Sequence, residues 1–73
     1  MTADAFERSL RVFCNRKRFQ PFFIEFITRE RLLIAHPEAI TLRGNLSVHV
    51  TPLAQYHLFD SNSVCRVLDP GRD

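Results

Sequence analysis

The chain has 73 residues, 45% of them hydrophobic, with a net charge of +2. This length supports a single domain, residues 1–73, and leaves little room for a deep substrate pocket. The first residues lack a basic and apolar leader. No apolar run reaches the roughly 20 residues of a membrane span, so we expect a soluble, cytoplasmic protein with no membrane partner.

The N-terminal segment predicts an amphipathic helix over about residues 3–16. Its apolar side chains recur at helical spacing and form one stripe, made of Phe6, Leu10, Phe13 and Cys14. Thr2 stands before them as a helix N-cap. Pro21 excludes helix at the preceding residue and begins an extended segment. We expect the stripe to pack against the rest of the protein.

Positive charge is concentrated on this helix and its exit, in Arg8, Arg11, Arg16, Lys17 and Arg18. Cations at the C-terminus of a helix stabilise its macrodipole, which explains the last three without any ligand. The same five side chains are candidate contacts for the phosphates of a nucleic acid. We expect the dipole role and keep nucleic-acid binding as the alternative.

The remainder of the chain predicts five or six short strands with polar or proline-containing connections. They span residues 22–28, 31–36, 39–42, 46–51, 56–59 and 64–68. Gly44-Asn45 is typical of a two-residue hairpin turn, and residues 52–54 are typical of a three-residue loop. We expect the polar tail, residues 69–73, to fray.

These elements predict an α+β fold, in which an N-terminal helix is followed by five or six short antiparallel strands that form a strongly bent sheet or a small barrel. The helix stripe and the inner face of the sheet need each other, because neither buries itself alone. The apolar side chains, seven Phe included, exceed what one small core readily hides. We therefore expect the surplus to be buried between copies of the chain in a homo-oligomer.

The three-residue loop also sets a register between two strands, with Val50 opposite Tyr56, His49 opposite His57 and Val48 opposite Leu58. In the first of these strands apolar and polar side chains alternate, and the apolar set normally faces the core. This predicts an inward row of Leu46, Val48 and Val50. It also predicts an exposed pair on the outer face, His49 beside His57. Two imidazoles lack the third and fourth ligands of a metal site, so we expect no metal there.

Residues that could carry catalysis occur without the arrangement that catalysis needs. Ser61, Ser63 and Cys65 lie in no nucleophile turn and beside no plausible base. The carboxylates form no paired motif, and two glycines in all make no phosphate-binding loop. Cys14 and Cys65 make no disulfide framework and are expected as reduced thiols. We therefore expect no enzymatic activity, no cofactor and no small-molecule substrate.

One resemblance rests on residues 18–38, which read Arg18-Phe19-Gln20-Pro21-Phe22, a strand, a polar turn, a second strand and His36-Pro37-Glu38. This pattern resembles a group of small uncharacterised bacterial proteins with an Arg-Pro-Phe-x-Pro-Phe opening and a His-Pro-Glu centre. Their last two strands resemble residues 56–68. The chain departs from that group at Lys17-Arg18, where Pro is usual, and at residues 28–30, where the turn usually holds Asp-Gly. The resemblance implies no activity.

The order and length of the elements also resemble Sm-like proteins, bacterial RNA chaperones included. In those proteins a helix precedes five bent strands that close a small SH3-like barrel and assemble into rings. The Sm signatures are missing, because Tyr56-His57-Leu58 stands where Arg-Gly or Tyr-Lys-His would, and no Asp-x-apolar-x-Asn run follows the second strand. The resemblance implies the fold rather than RNA binding.

We expect, from these features together, a small non-enzymatic interaction module whose partner is a second copy of itself. The alternative is an RNA-binding protein of Sm-like type that uses the basic helix, residues 8–18.

Overall fold

The computed structural model describes residues 1–71. In that range a helix, α1, is followed by six strands, β1 to β6. They span Ala3–Cys14, then Phe22–Phe26, Arg31–Ile34, Ile40–Arg43, Leu46–Val50, Tyr56–Asp60 and Val64–Leu68. Short 3-10 helices at Pro37–Ala39 and Ser61–Ser63 precede β3 and β6. The expected helix, strand order and α+β class are confirmed, with element ends differing by up to two residues from those predicted.

Helix α1 begins as expected and ends two residues early. The Thr2 hydroxyl accepts a hydrogen bond from the Ala5 N–H at 3.1 Å, which satisfies one of the free donors of the first turn. At the other end the Asn15 N–H donates to the Arg11 carbonyl at 3.1 Å. Phe6 and Leu10 are buried, so the predicted stripe faces the core.

The strands pair antiparallel in two three-stranded sheets, which we call sheet I and sheet II. Sheet I has the order β2-β1-β6, and sheet II has the order β3-β4-β5. The chain enters sheet II through the 3-10 helix Pro37–Ala39 and returns to sheet I through Ser61–Ser63. The strands therefore form two separately paired sheets, and not the closed barrel that the sequence allowed.

The hairpin turns follow the local chemistry of the sequence. Gly44 has a φ of 60° between the paired residues Arg43 and Leu46, as the first central residue of a type II′ turn requires. The loops at residues 27–29 and 52–54 each end in a residue with positive φ, Arg29 at 77° and Ala54 at 61°. The expected turn at residues 44–45 and the expected loop at residues 52–54 are confirmed.

The hydrophobic core lies between α1 and the inner faces of the two sheets. Its buried members are Phe6, Leu10, Phe22, Ile24, Ile34, Ile40 and Val64. The Phe59 ring links the sheets to the helix, with its centroid 6.0 Å from that of Phe6 and 5.1 Å from that of Phe26. Both contacts are edge-to-face, the arrangement that aromatic pairs prefer. The core thus draws on α1 and on every strand except β4, through a few large side chains.

The prediction for the face of β4 is wrong. Ser47 and His49 are buried, whereas Leu46 is 46% exposed, so the polar side chains of this strand point inward. The neighbouring strands explain the inversion. Ser47 pairs between Leu42 of β3 and Phe59 of β5, and both of these larger side chains pack against the core. Residues paired across neighbouring strands point to the same face of the sheet. The burial of Leu42 and Phe59 therefore places Ser47 on the inner face, against the alternation of apolar and polar residues within β4.

The first residue of the predicted tail is held by a contact with the helix exit. Asp69, which was expected to fray, is half-buried and forms an ion pair with Arg16, in which the guanidinium lies 2.8 Å from a carboxylate oxygen. Residues 72–73, the end of the predicted tail, lie outside the described residues. Within residues 1–71, no helix is long and apolar enough to cross a bilayer.

Candidate interaction surface

Two of the five basic candidates lie on the exposed face of α1 beside acidic residues of the same helix. Arg8 lies 3.6 Å from the carboxylate of Asp4. Arg11 lies 3.5 Å from the carboxylate of Glu7. Exposed pairs of this spacing contribute only about 0.3–0.5 kcal/mol each. Each carboxylate also opposes the field that its arginine would present to a phosphate.

A third candidate, Arg16, holds the helix exit in place. Its guanidinium donates to the Gln20 carbonyl at 2.8 Å and to the Phe13 carbonyl at 3.3 Å. It also pairs with Asp69, which follows the last strand, and stacks 4.9 Å from the centroid of the Phe13 ring. The Phe13 carbonyl belongs to the last helical turn, so this contact satisfies an acceptor that the helix leaves free. Arg16 therefore links the helix end to the segment before β1 and to the residue after β6, and the dipole role expected for it stays a prediction.

Lys17 and Arg18 remain exposed, and neither forms an ion pair with another residue in the range 1–71. They lie between the end of α1 and the start of β1. The five basic side chains therefore have three environments. Arg8 and Arg11 pair with acidic residues of the helix, Arg16 binds carbonyls and Asp69, and Lys17 and Arg18 are exposed. They do not form one continuous cationic site.

The histidine pair forms as the register predicted, but in a different environment. His49 lies opposite His57 across β4 and β5, with the rings stacked and their centroids 5.8 Å apart. The prediction that both lie on the outer face is wrong, because His49 is only 6% exposed. Its Nδ1 atom is buried without a hydrogen-bond partner. Burial, and secondarily the neighbouring His57, lowers the pKa of His49 below its ordinary value.

The inversion of β4 leaves an apolar surface on the outside of sheet II. This surface, which we call the apolar face, consists of Leu46, Val48, Val50, Tyr56 and Leu58. Tyr56 is 67% exposed and Leu58 is 64% exposed. The charged side chains Arg43 and Asp60 lie only at one end of it, on either side of Leu46. Contiguous exposed apolar residues of this kind make the apolar face a candidate interaction site.

Strand β5 is also an edge strand, because sheet II has the order β3-β4-β5. The Thr51 N–H donates to the Gln55 carbonyl at 2.9 Å, which makes this pair a hydrogen-bonded one. Bonded and non-bonded pairs alternate along an antiparallel ladder, so His57 and Phe59 direct their main-chain groups toward β4. The Ser61 N–H continues the series by donating to the Asn45 carbonyl at 2.9 Å.

It follows that Tyr56, Leu58 and Asp60 direct their main-chain N–H and C=O groups away from β4. No strand among residues 1–71 pairs with that side of β5. Proteins usually protect such an edge with Lys, Pro or a bulge, and none of these interrupts the five residues of β5. The edge and the apolar face are therefore adjacent parts of one surface.

Sheet I carries an ionic cluster that the sequence did not reveal. Glu25, only 3% exposed, lies in β1 between Arg31 of β2 and Arg66 of β6. The Arg66 guanidinium donates to the carboxylate at 2.8 Å and that of Arg31 donates at 3.0 Å. These hydrogen bonds, from Arg66 and then Arg31, hold the pKa of Glu25 below its usual range. The sequence feature that could have indicated this cluster is the single carboxylate within the otherwise apolar strand β1, because a buried charge needs partners of opposite charge.

The remaining candidates for chemistry are two serines and two cysteines. Ser61 is buried and Ser63 donates to the Asp60 carbonyl at 2.6 Å, so both belong to the turn before β6. Cys14 and Cys65 are free thiols, and burial raises the pKa of Cys14. In the described part of the chain no three His, Cys, Asp or Glu residues are placed to hold a metal ion.

An open cleft of 640 Å³ lies where the two sheets meet, lined mainly by apolar side chains of residues 32–39 and 49–52. His36, Glu38 and His49 are its titratable members. Its walls reach Val50 and therefore border the apolar face.

No protein-family model, no curated protein and no solved structure matches this chain.

Proposed function

We propose that this protein is a small non-enzymatic assembly module that associates with further copies of itself through sheet II. The observation that carries the proposal is the apolar face, whose members Leu46, Tyr56 and Leu58 are 46%, 67% and 64% exposed. Burying such side chains contributes about 25 cal/mol per Å² of apolar surface removed from water. A domain of this length gains from that support, because small domains bury a small share of their surface alone.

A second copy is a suitable occupant because the centre of the face carries no charge. Val48 and Leu58 form the middle row with Thr41, so two such faces or edges meet without burying an unpaired ion. Self-association also uses the same patch on both copies, which is the commonest symmetry of protein oligomers. The partner we propose is therefore the chain itself.

The element order supports an Sm-like architecture as part of this proposal. A helix precedes the strands, the sheet orders are β2-β1-β6 and β3-β4-β5, and a 3-10 helix stands before β6. The two free thiols fit a reducing compartment, so we propose a cytoplasmic location.

The test is the solution mass of the wild-type chain and of two matched variants, measured by light scattering and native mass spectrometry. Leu58→Asp places a charge on the apolar face, whereas Leu53→Asp places one on the hairpin tip, where Leu53 is 82% exposed. We expect a mass above one chain for the wild type and for Leu53→Asp, and a mass of one chain for Leu58→Asp. A wild-type mass of one chain at tens of micromolar would refute the proposal.

The second candidate function, binding of single-stranded RNA, is supported by the exposure of Lys17 and Arg18 beside Phe19. Phosphate contacts would make the affinity fall steeply with salt. The double variant Lys17→Gln/Arg18→Gln should then weaken RNA binding, whereas Arg8→Gln/Arg11→Gln should weaken it less because those residues are already paired. We rank this function second, since the five basic residues do not converge on one site.

A further inference from the structure

The outer edge of β5 offers a specific way for two copies to join. Tyr56, Leu58 and Asp60 direct their main-chain groups to this edge, and their side chains lie on the same side of the strand as the apolar face. Strand β5 spans Tyr56–Asp60, five residues centred on Leu58. An antiparallel copy laid against it in full overlap therefore has its twofold axis at Leu58.

We infer that the self-association proposed above, on which this inference rests, is a twofold pairing of β5 with β5 of a second copy. Leu58 then lies opposite Leu58, and Tyr56 lies opposite Asp60. The two sheets join into one sheet of six strands, in the order β3-β4-β5-β5-β4-β3. The apolar faces of the copies become continuous across the junction.

Strand ends and charge select this register over its neighbours. Shifting the axis to His57 would require Ala54 as a ladder partner of Asp60, but Ala54 lies in the loop with a φ of 61°. Shifting the axis toward Asp60 would bring the two carboxylates together, which like-charge repulsion disfavours. Only the axis at Leu58 uses the whole strand and places each Asp60 opposite an uncharged residue.

Strand β6, which also lies at the end of a sheet, is less available as a partner than β5. The amino group of Met1 donates to the carbonyl of Val64, the first residue of β6. Helix α1 also packs against β6 through several residues. A head-to-tail contact of β5 with β6 would have to displace these groups. The twofold pairing leaves them in place.

Cysteine cross-linking tests the register directly. In a Cys14→Ala/Cys65→Ser background, Leu58→Cys places two thiols on the proposed axis. Directly opposed residues in a hydrogen-bonded antiparallel pair have Cα atoms about 5.5 Å apart, within the range of roughly 4.4–6.8 Å that a disulfide spans. We expect mild oxidation to give a covalent dimer. The matched control, Leu53→Cys on the hairpin tip, should stay monomeric on a non-reducing gel.

Amide hydrogen exchange supplies a second readout in the unmodified chain. Amides of Tyr56, Leu58 and Asp60 should exchange at least about tenfold more slowly in concentrated than in dilute protein, because they become paired only in the dimer. Amides of His57 and Phe59, which pair with β4 in both states, should change little. This alternation distinguishes edge pairing from the stacking of two faces.

The outcomes separate this inference from the proposed function. A dimer mass with the Leu58→Cys cross-link and alternating protection supports both. Self-association without the cross-link or the alternation, or a native mass of three or more chains in a ring, overturns the twofold pairing and leaves the assembly function standing. A monomer under all conditions overturns both.

Discussion

At the residue scale, two buried titratable side chains, those of Glu25 and His49, link ionisation to folding. Glu25 is buried with two arginines on neighbouring strands, and His49 is buried with a partnerless Nδ1. Removing one partner of a buried pair costs more than the pair contributes, because the remaining charge is left uncompensated. Both residues therefore predict a dependence of stability on pH, in different ranges.

The lowered pKa of Glu25 sets the direction in which stability changes with pH. The unfolded carboxyl has a pKa of about 4.3, so the stabilisation is fully present above that value and is lost as the pH falls through the lower pKa of the folded state. We expect the melting temperature to fall on acidification below about pH 4.3. In Glu25→Gln this part of the fall in melting temperature at acidic pH should be missing, and the variant should be less stable than the wild type at pH 7. An unchanged acid limb in the variant, followed by circular dichroism, would contradict the role of Glu25.

For His49 the lowered pKa acts at higher pH. An unfolded histidine has a pKa of about 6.5, and the folded value is lower, so the unfolded state binds more protons between the two values. We expect the free energy of unfolding to decrease as the pH falls from 7 through this window. His49→Gln should remove the decrease, and His36→Gln, at an exposed position, should keep it. Equal pH profiles for wild type and His49→Gln in urea titrations would show that His49 is not responsible.

At the element scale, the turns show where the backbone carries strain. Both three-residue loops end in a residue with positive φ that is not glycine, Arg29 and Ala54. The left-handed region costs a non-glycine residue roughly 1–2 kcal/mol. The surrounding bonds hold Ala54 there, since its N–H donates to the Thr51 carbonyl at 2.9 Å.

We therefore predict that Ala54→Gly raises the free energy of unfolding by up to about 1 kcal/mol, because glycine adopts this conformation without a steric cost. The matched control is Ala5→Gly in α1, where glycine should lower stability by about 1 kcal/mol. Urea denaturation of the two variants and the wild type gives both values. A loss of stability in Ala54→Gly would show that the loop carries no such strain.

At the scale of the whole molecule, the buried core and the exposed apolar face compete for the same class of side chains. The core takes its large members from α1, β1, β2 and β3, together with Phe59 of β5, so Leu46, Tyr56 and Leu58 are left exposed. A chain that hides this surface between copies gains stability from mass action. The folding stability of each chain then depends on its association with other copies.

This coupling predicts that the melting temperature rises with protein concentration. For a dimer that dissociates on unfolding, each tenfold increase should add about 3–5 °C in a domain of this size. The variant Leu58→Asp should melt at a temperature independent of concentration. Calorimetry over a hundredfold range of concentration measures both, and a wild-type melting temperature that does not move would argue against assembly.

Local features of this protein were accessible from the sequence because their causes are local. The apolar stripe, Thr2 as N-cap and Pro21 account for α1 and its end within two residues. The three-residue loop accounts for the pairing of His49 with His57, since loop length sets register. The strand order in the chain follows from the same turn chemistry.

The internal role of Arg16 and the cluster around Glu25 depended on contacts between residues far apart in the chain. Arg16 meets Asp69, and Glu25 meets Arg66, only after β6 lies beside β1. No spacing in the sequence indicates such pairs. The five basic residues therefore looked like one group, although the fold gives them three different environments.

The sequence by itself determined the helix, the strands, their turns and the register between β4 and β5. Only the tertiary structure decided which face of β4 meets the core, because that choice depends on competition among strands. Leu42 and Phe59, the neighbours of Ser47, fill the interior and turn Val48 outward. The exposed face follows from that competition, which a strand read alone cannot show.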